Sequence, residues 1–178
     1  MGFPSSNSMP CRFITPASAT STMSQVITDV TRTIHAPIGQ VWGIVTSFGA
    51  ESLWFPGVIS SSLEGYGPGS VRTIQFEKNP WVNLVREQME VCDPVKHLLR
   101  FRVRNDDVSD AGEIYSNMVL EDIDGKTTRF RWFAEGEVLP DPAQHENMRE
   151  YVEAMYNRCA DSIETKLTAK SQSVPTVR

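Results

Sequence analysis

The sequence predicts an α+β domain in which one antiparallel sheet curls around a long C-terminal helix. Three observations carry that expectation. Between residues 57 and 138 every segment with a clear pattern reads as β, and the segments are punctuated by turn residues such as Asn79-Pro80, Asp93-Pro94 and Asp124-Gly125. After them comes a single long helical pattern, in which Met148, Val152, Met155, Cys159, Ile163 and Leu167 recur at spacings of three and four. No helix separates the successive strands, so they pair as antiparallel hairpins, and the sheet must bend over the last helix to bury both apolar faces.

Each element has its own signal. Val26 to Ile34 is rich in β-branched residues and reads as the first strand, closed by Ala36-Pro37. Pro37 suits the first turn of a helix, and PIGQVWGIVTSF over residues 37 to 48 sets Val41, Trp42, Val45 and Phe48 at helical spacing. A second short helical turn is expected at Ser52 to Trp54. Gly57 to Leu63 is the next strand, EGYGPG over residues 64 to 69 is a turn, and VRTIQF over residues 71 to 76 is a strand after it. Further strands are expected over 82 to 92, 97 to 104, 112 to 123 and 127 to 138, the last two joined by a two-residue hairpin at Asp124-Gly125. Asp141-Pro142-Ala143-Gln144 then reads as an N-cap with Pro at N1 and Gln at N3, opening a helix that runs to near Ala169. The folded domain is expected over residues 24 to 170, with a short flexible tail at 171 to 178 and no internal repeat or second domain.

Composition narrows the function. A chain of 178 residues with 40% hydrophobic and 22% charged content fits one soluble globular domain with a substantial core. A net charge of -5 disfavours nucleic acid and anionic membranes as partners, and no apolar run approaches the roughly 20 residues that span a bilayer. Cys11, Cys92 and Cys159 are odd in number and lack metal-type spacing, and His35, His97 and His145 are scattered. Reduced thiols, a cytoplasmic setting and neither metal nor disulfide framework follow as expectations. Residues 1 to 23, rich in Ser, Thr and Pro, cannot bury enough surface to order themselves and are expected to be a disordered extension. A targeting peptide would want more basic residues than Arg12 alone, although an upstream extension before Met23 and the short acylation pattern at Gly2 and Ser6 are formal alternatives.

Strand alternation exposes one anomaly. In VRTIQF, Arg72 shares a face with Ile74 and Phe76; in VNLVREQMEV, Glu87 shares a face with Val85, Met89 and Val91. An unpaired buried charge costs several kcal/mol, roughly, so each of the two residues supplies what the other lacks. The pattern leaves two readings open: an ion pair that fixes strand register or reaches water at a sheet edge, or a polar group set in an apolar cavity. Elsewhere the faces are clean. Leu99, Phe101 and Val103 point inward with Arg100, Arg102 and Arg104 on a solvated outer face, and Trp132 points inward with Phe130 and Ala134.

Together these motifs resemble a known family. Ile34, Ala36-Pro37, Val41-Trp42, Phe48, Trp54 with Pro56, Gly69-Ser70-Val71-Arg72, Glu87 with Asp93-Pro94, Tyr115 and Trp132 follow in an order and spacing similar to the polyketide cyclase/dehydrase-like branch of the START-like superfamily. The superfamily also holds the major birch pollen allergen, norcoclaurine synthase and the plant abscisic-acid receptors, and the resemblance covers residues 26 to about 168. It implies a helix-grip fold: a seven-stranded curved antiparallel sheet around the long C-terminal helix, with two short helices and an internal hydrophobic cavity. It also implies that Arg72, Glu87, Tyr115 and Asn117 face that cavity, although Ile114, Met118 and Leu120 argue for the opposite face of the strand that carries Tyr115 and Asn117. The walls would come from Trp54, Ile74, Phe76, Trp81, Met89, Phe101, Trp132, Met148, Val152 and Met155. The gate and latch sequences of the hormone receptors and the catalytic lysine pattern of norcoclaurine synthase have no counterpart here.

The expected function is cofactor-independent chemistry of specialised metabolism: a cyclase, dehydratase, lyase or isomerase acting on a hydrophobic small molecule such as a polyketide or terpenoid intermediate. Glu87 would be general base or acid, Arg72 would tune it or hold an oxyanion, and Tyr115 would donate or relay a proton. Because pairing to Arg weakens a carboxylate as a base, Arg72 can instead serve as anchor while Tyr115 moves the proton. The alternative is a non-catalytic carrier of a hydrophobic ligand in the same pocket, as a monomer or homodimer. A third reading makes Trp81 and the acidic run Asp106 to Asp110 a contact surface.

Overall fold

The computed structural model describes residues 24–78, 83–104, 113–137 and 139–172. Strand β1 (Gln25–Ile34) leads into helix α1 (Ile38–Val45) and a 3-10 turn over Glu51–Leu53. A meander follows: β2 (Val58–Glu64), β3 (Val71–Phe76), β4 (Leu84–Asp93), β5 (Leu98–Val103), β6 (Ile114–Asp122) and β7 (Thr128–Gly136). Helix α2 (Pro142–Gln172) is the last described element. The strands form a seven-stranded antiparallel sheet in the order β1-β7-β6-β5-β4-β3-β2, the helix-grip arrangement that the resemblance implies.

This order sets where the interior site can form. β1 and β2 are consecutive in the chain yet lie at opposite edges of the sheet, so α1 and the 3-10 turn must carry the chain between them. Glu51 therefore sits beside β2 rather than near β1, tied there by its backbone N–H, which donates to Ser61 Oγ at 3.0 Å. Register shifts between Val26 and Thr28, Val58 and Ser60, and Met89 and Val91 bend their strands and help the sheet to curve.

Helix α2 starts where the cap chemistry places it. Asp141 Oδ1 accepts the Ala143 N–H at 2.9 Å, and Pro142 at the first helical position has no N–H to satisfy. The helix spans 31 residues, longer than the pattern suggests, because the buried stripe ends at Leu167 while the helical backbone continues. Its buried residues are Met148, Tyr156, Cys159, Ala160, Ile163 and Leu167, while Val152 and Met155 are half-buried against the core. They meet Leu99, Phe101, Met118, Phe130 and Trp132 from the concave face of the sheet.

The β6–β7 hairpin lies at the expected place but has one more residue in its loop than expected. Ile123 donates its N–H to Thr127 at 2.9 Å, leaving Asp124, Gly125 and Lys126 between them, with Gly125 at φ 75°. A three-residue loop needs one left-handed position, and Gly takes it without a Cβ clash. Asp122 Oδ1 adds a bond to the Gly125 N–H at 2.7 Å. Of the remaining expectations, the tail at 171–178 is shorter at its start, since Ser171 and Gln172 belong to α2, and the 1–23 extension, Trp81, the acidic run 106–110 and residues 173–178 lie outside the described residues.

Candidate functional site

Alternation along β3 turns Arg72 inward together with Ile74 and Phe76, and the register sets Arg72 directly opposite Glu87 of β4. The Arg72 Nε–H donates to Glu87 Oε2 at 2.5 Å. The second branch of the guanidinium points elsewhere, with Nη1 donating to Glu51 Oε1 at 3.3 Å. Phe101 of β5 covers one face of the guanidinium, its ring centroid 3.9 Å from Cζ. Side-chain exposure is 1% for Arg72, 1% for Glu51 and 10% for Glu87, so the cluster is an interior feature and not an edge pair reaching water. Two carboxylates thus converge on one guanidinium.

Glu51 carries no sequence signal, because nothing in the segment AESLW shows that a short exposed-looking turn folds over the sheet. Its main chain is fully engaged, since besides the bond to Ser61 its carbonyl accepts the N–H groups of Trp54 and Phe55 at 3.0 and 2.7 Å. Its side chain is not. Among the described residues, Glu51 Oε2 is buried without a hydrogen-bond partner, and so is Trp54 Nε1 on the same turn. Ser70 Oγ, two residues before Arg72, is buried without a partner as well.

A phenol approaches from the helix side. Tyr156 of α2 stacks on Trp132 of β7 with ring centroids 4.1 Å apart and planes 12° from parallel. Its Oη–H donates to Ser116 Oγ at 3.4 Å, and Trp132 Nε1–H donates to the same oxygen at 2.8 Å. Burial pushes the Tyr156 phenol well above the usual range; the Ser116 bond opposes this, the Glu87 charge adds to it and the Arg72 charge opposes it. Both members of the β3–β4 pair therefore act electrostatically on this hydroxyl. One turn along, burial likewise pushes the Cys159 thiol up, opposed by Arg158 and Arg72.

The structure corrects two sequence expectations. Tyr115 and Asn117 do not face the interior; Ser116, Met118 and Leu120 do, as the apolar pattern of that strand argues. The Tyr115 Oη–H donates to Glu113 Oε2 at 2.6 Å, and its ring lies under the Arg100 guanidinium, 4.1 Å from centroid to Cζ. Asn117 is buried beneath the outer ion-pair layer, accepting from Arg100 Nη1 at 2.8 Å and donating to Glu135 Oε2 at 3.3 Å. Arg100 and Arg102 belong to that layer with Glu90, Glu113 and Glu135. A groove of about 240 Å³ on the outer face, lined by Val71, Arg86, Gln88 and Arg104, lies across the sheet from the Arg72 cluster.

The apolar candidates fall on the inner side. Trp54, Ile74, Phe76, Met89, Phe101, Trp132 and Met148 are buried in one core, with Val152 and Met155 packed against it. Trp54 and Phe55 from the 3-10 turn pack against Trp132, so turn, sheet and helix meet in one aromatic cluster. No group of three or more His, Cys, Asp or Glu side chains among the described residues has the geometry of a metal site, and no described helix is long and apolar enough to cross a membrane.

Comparison with known proteins agrees with this architecture. A family described as polyketide cyclase/dehydrase and lipid transport matches residues 25–168. Comparison with curated proteins finds no sequence match. Among solved structures, an aromatase/cyclase from a Streptomyces species superposes with a TM-score of 0.70 at 14% identity, covering 85% of this chain and 98% of that one. Norcoclaurine synthase from Thalictrum flavum, in complex with dopamine and hydroxybenzaldehyde, gives a TM-score of 0.68 at 17% identity, covering 95% and 100%. An uncharacterised protein from Bacillus thuringiensis gives 0.64 at 18% identity, covering 82% and 99%. At these identities the superpositions speak for the fold, and the family match over most of the chain speaks for descent: the chain belongs to the polyketide cyclase/dehydrase and lipid transport family.

Proposed function

We propose that the protein binds a hydrophobic small molecule between the sheet and α2 and promotes a cofactor-independent cyclisation or dehydration of it. The observation that carries this reading is the buried cluster of Arg72, Glu87 and Glu51 on an otherwise apolar, aromatic wall. Apolar walls with a few converging polar groups are the usual character of small-molecule sites. In such a setting Arg72 stabilises negative charge that develops on a carbonyl oxygen of the bound molecule, because the low-dielectric surroundings strengthen its field. The role assigned to Tyr115 passes to Tyr156: burial weakens its phenol as an acid but keeps the O–H as a hydrogen-bond donor toward charge that develops on the bound molecule.

A carrier role is the second reading, and one observation favours it. The Nε and Nη1 donors of Arg72 are already engaged by Glu87 and Glu51, which leaves them less free to follow charge that develops in a reaction and suits a static polar floor under a bound molecule. Native mass spectrometry of freshly purified protein, followed by incubation with the co-purified compound, separates the two. Conversion of that compound, slowed about 100-fold or more by Tyr156→Phe and untouched by Tyr115→Phe, supports catalysis. Return of the compound unchanged from the wild-type protein supports carriage, and equal effects of the two Tyr substitutions sink the assignment of Tyr156.

A further inference from the structure

We infer that Glu51 selects the guest: its Oε2 accepts a hydrogen bond from an O–H or N–H group of the bound molecule, so the site prefers hydroxylated or amino-bearing aromatic compounds to their alkylated counterparts. This rests on the reading that a small molecule binds between the sheet and α2.

The Glu51 carboxylate is not needed to hold its own turn or the ion pair. The 3-10 turn is held through the main chain, by Glu51 N–H to Ser61 Oγ and by the Glu51 carbonyl to Trp54 and Phe55. Arg72 is already paired to Glu87 by its shorter bond, 2.5 Å against 3.3 Å to Glu51. A second carboxylate is therefore surplus to both the turn and the ion pair, yet Glu51 is only 1% exposed. Burying it without a full set of donors is costly, and its Oε2 has no partner among the described residues. A guest donor would remove that cost, which makes recognition of a hydroxyl or amine far more discriminating than an apolar wall alone.

The same turn offers the complementary group. Trp54, 3% exposed, holds an indole N–H that also lacks a partner among the described residues. The turn thus presents one unfilled acceptor and one unfilled donor, three positions apart in the chain. Phe55, Phe101 and Trp132 make the surroundings aromatic, each packed within the same buried core. A planar guest that carries a hydroxyl matches this combination, because its ring meets the aromatic faces and its O–H meets Glu51.

Naphthol and its methyl ether test the inference by isothermal titration calorimetry on the full chain, since the two share a ring system and only naphthol can donate. The wild-type protein is expected to bind naphthol about tenfold tighter than the ether, the effect of one hydrogen bond to a charged acceptor. Glu51→Gln is expected to erase that preference while binding the ether with wild-type strength. Glu51→Asp, which withdraws the carboxylate by one methylene, is expected to erase it too and serves if the Gln variant fails to fold. Equal wild-type affinity for both probes, or a preference that survives in the variants, overturns the inference while leaving an internal binding site standing. Failure of both probes to bind the wild-type protein, or of naphthol alone, overturns the internal site as read and this inference with it.

Discussion

Arg72 on β3 and Glu87 on β4 are directly opposed in the sheet and joined at 2.5 Å, yet the same guanidinium also reaches Glu51 on the 3-10 turn at 3.3 Å. The ion pair is thus one side of a three-residue cluster. Removing the cation strands two buried carboxylates, whereas removing one carboxylate leaves the cation paired to the other. Arg72→Ala is therefore expected to lower stability by about 3–5 kcal/mol, and Glu87→Gln by clearly less. Replacing Arg72 and Glu87 together by Met and Leu is expected to recover little, because Glu51 then stands alone; adding Glu51→Leu is expected to recover most of the loss. Urea unfolding midpoints of the four variants check this order, and recovery in the double variant would show that Glu51 is not coupled to the pair.

Strand parity explains why two of the three cluster residues are legible in the sequence. A charge among apolar residues at period two is visible locally, and successive strands of a meander pair antiparallel, so Arg72 and Glu87 point to each other without a structure. Glu51 cannot be read that way. Its position depends on the chain crossing from one sheet edge to the other, a tertiary relationship with no local periodicity. On β6 the local pattern of Ile114, Met118 and Leu120 is the better guide, and family resemblance misplaces Tyr115 and Asn117. On α2 the 3.6-residue repeat lets either Met155 or Tyr156 complete the stripe, and packing decides, because Tyr156 stacks on Trp132 while Met155 stays half-buried.

Gly136 ends β7 where the chain packs tightly against the neighbouring strand. A Cβ at this position would lie 2.8 Å from the Glu113 carbonyl oxygen and 3.1 Å from Ile27 Cδ1. The closest atom is backbone and cannot rotate away. Gly136→Ala is expected to destabilise by about 1–3 kcal/mol from overpacking, despite the smaller unfolded-state entropy of Ala. A thermal unfolding midpoint equal to or above wild type would show that β6 and β7 give way there.

Asp29 and Arg131 bind β1 to β7 on the outer face, with Arg131 Nη2 donating to Asp29 Oδ2 at 2.6 Å and Nε to Oδ1 at 3.0 Å. The Arg131 hydrogen bond holds the Asp29 carboxyl below its usual range. A carboxyl lowered by folding adds stability above its unfolded value, near ~3.9, and that stability is lost as pH falls through the folded value. Solvent screens this pair, whose side chains are 44% and 36% exposed, so Asp29→Asn is expected to cost under about 1 kcal/mol at pH 7. The cost should shrink at high salt and disappear at strongly acidic pH, as measured by urea unfolding across that range.

At the alkaline end the interior sets the pH response. Tyr156 and Cys159 both have acid forms favoured by burial, so each keeps its proton in the folded state at a pH where the unfolded chain has lost it. Their contribution is constant below the unfolded values, about 10 for Tyr and 8.5 for Cys, and is lost as pH rises beyond them. Each group adds a slope of up to about 1.4 kcal/mol per pH unit in that window. Tyr156→Phe keeps the ring on Trp132 and removes the ionisation, so above the Tyr value its stability should fall less steeply with pH than that of wild type. Below that value the two curves should run parallel, offset by the lost bond to Ser116 Oγ. Urea midpoints measured from neutral pH to about 11 provide the comparison, and identical slopes above pH ~10 would mean that the phenol ionises as readily in the folded protein as in the unfolded chain.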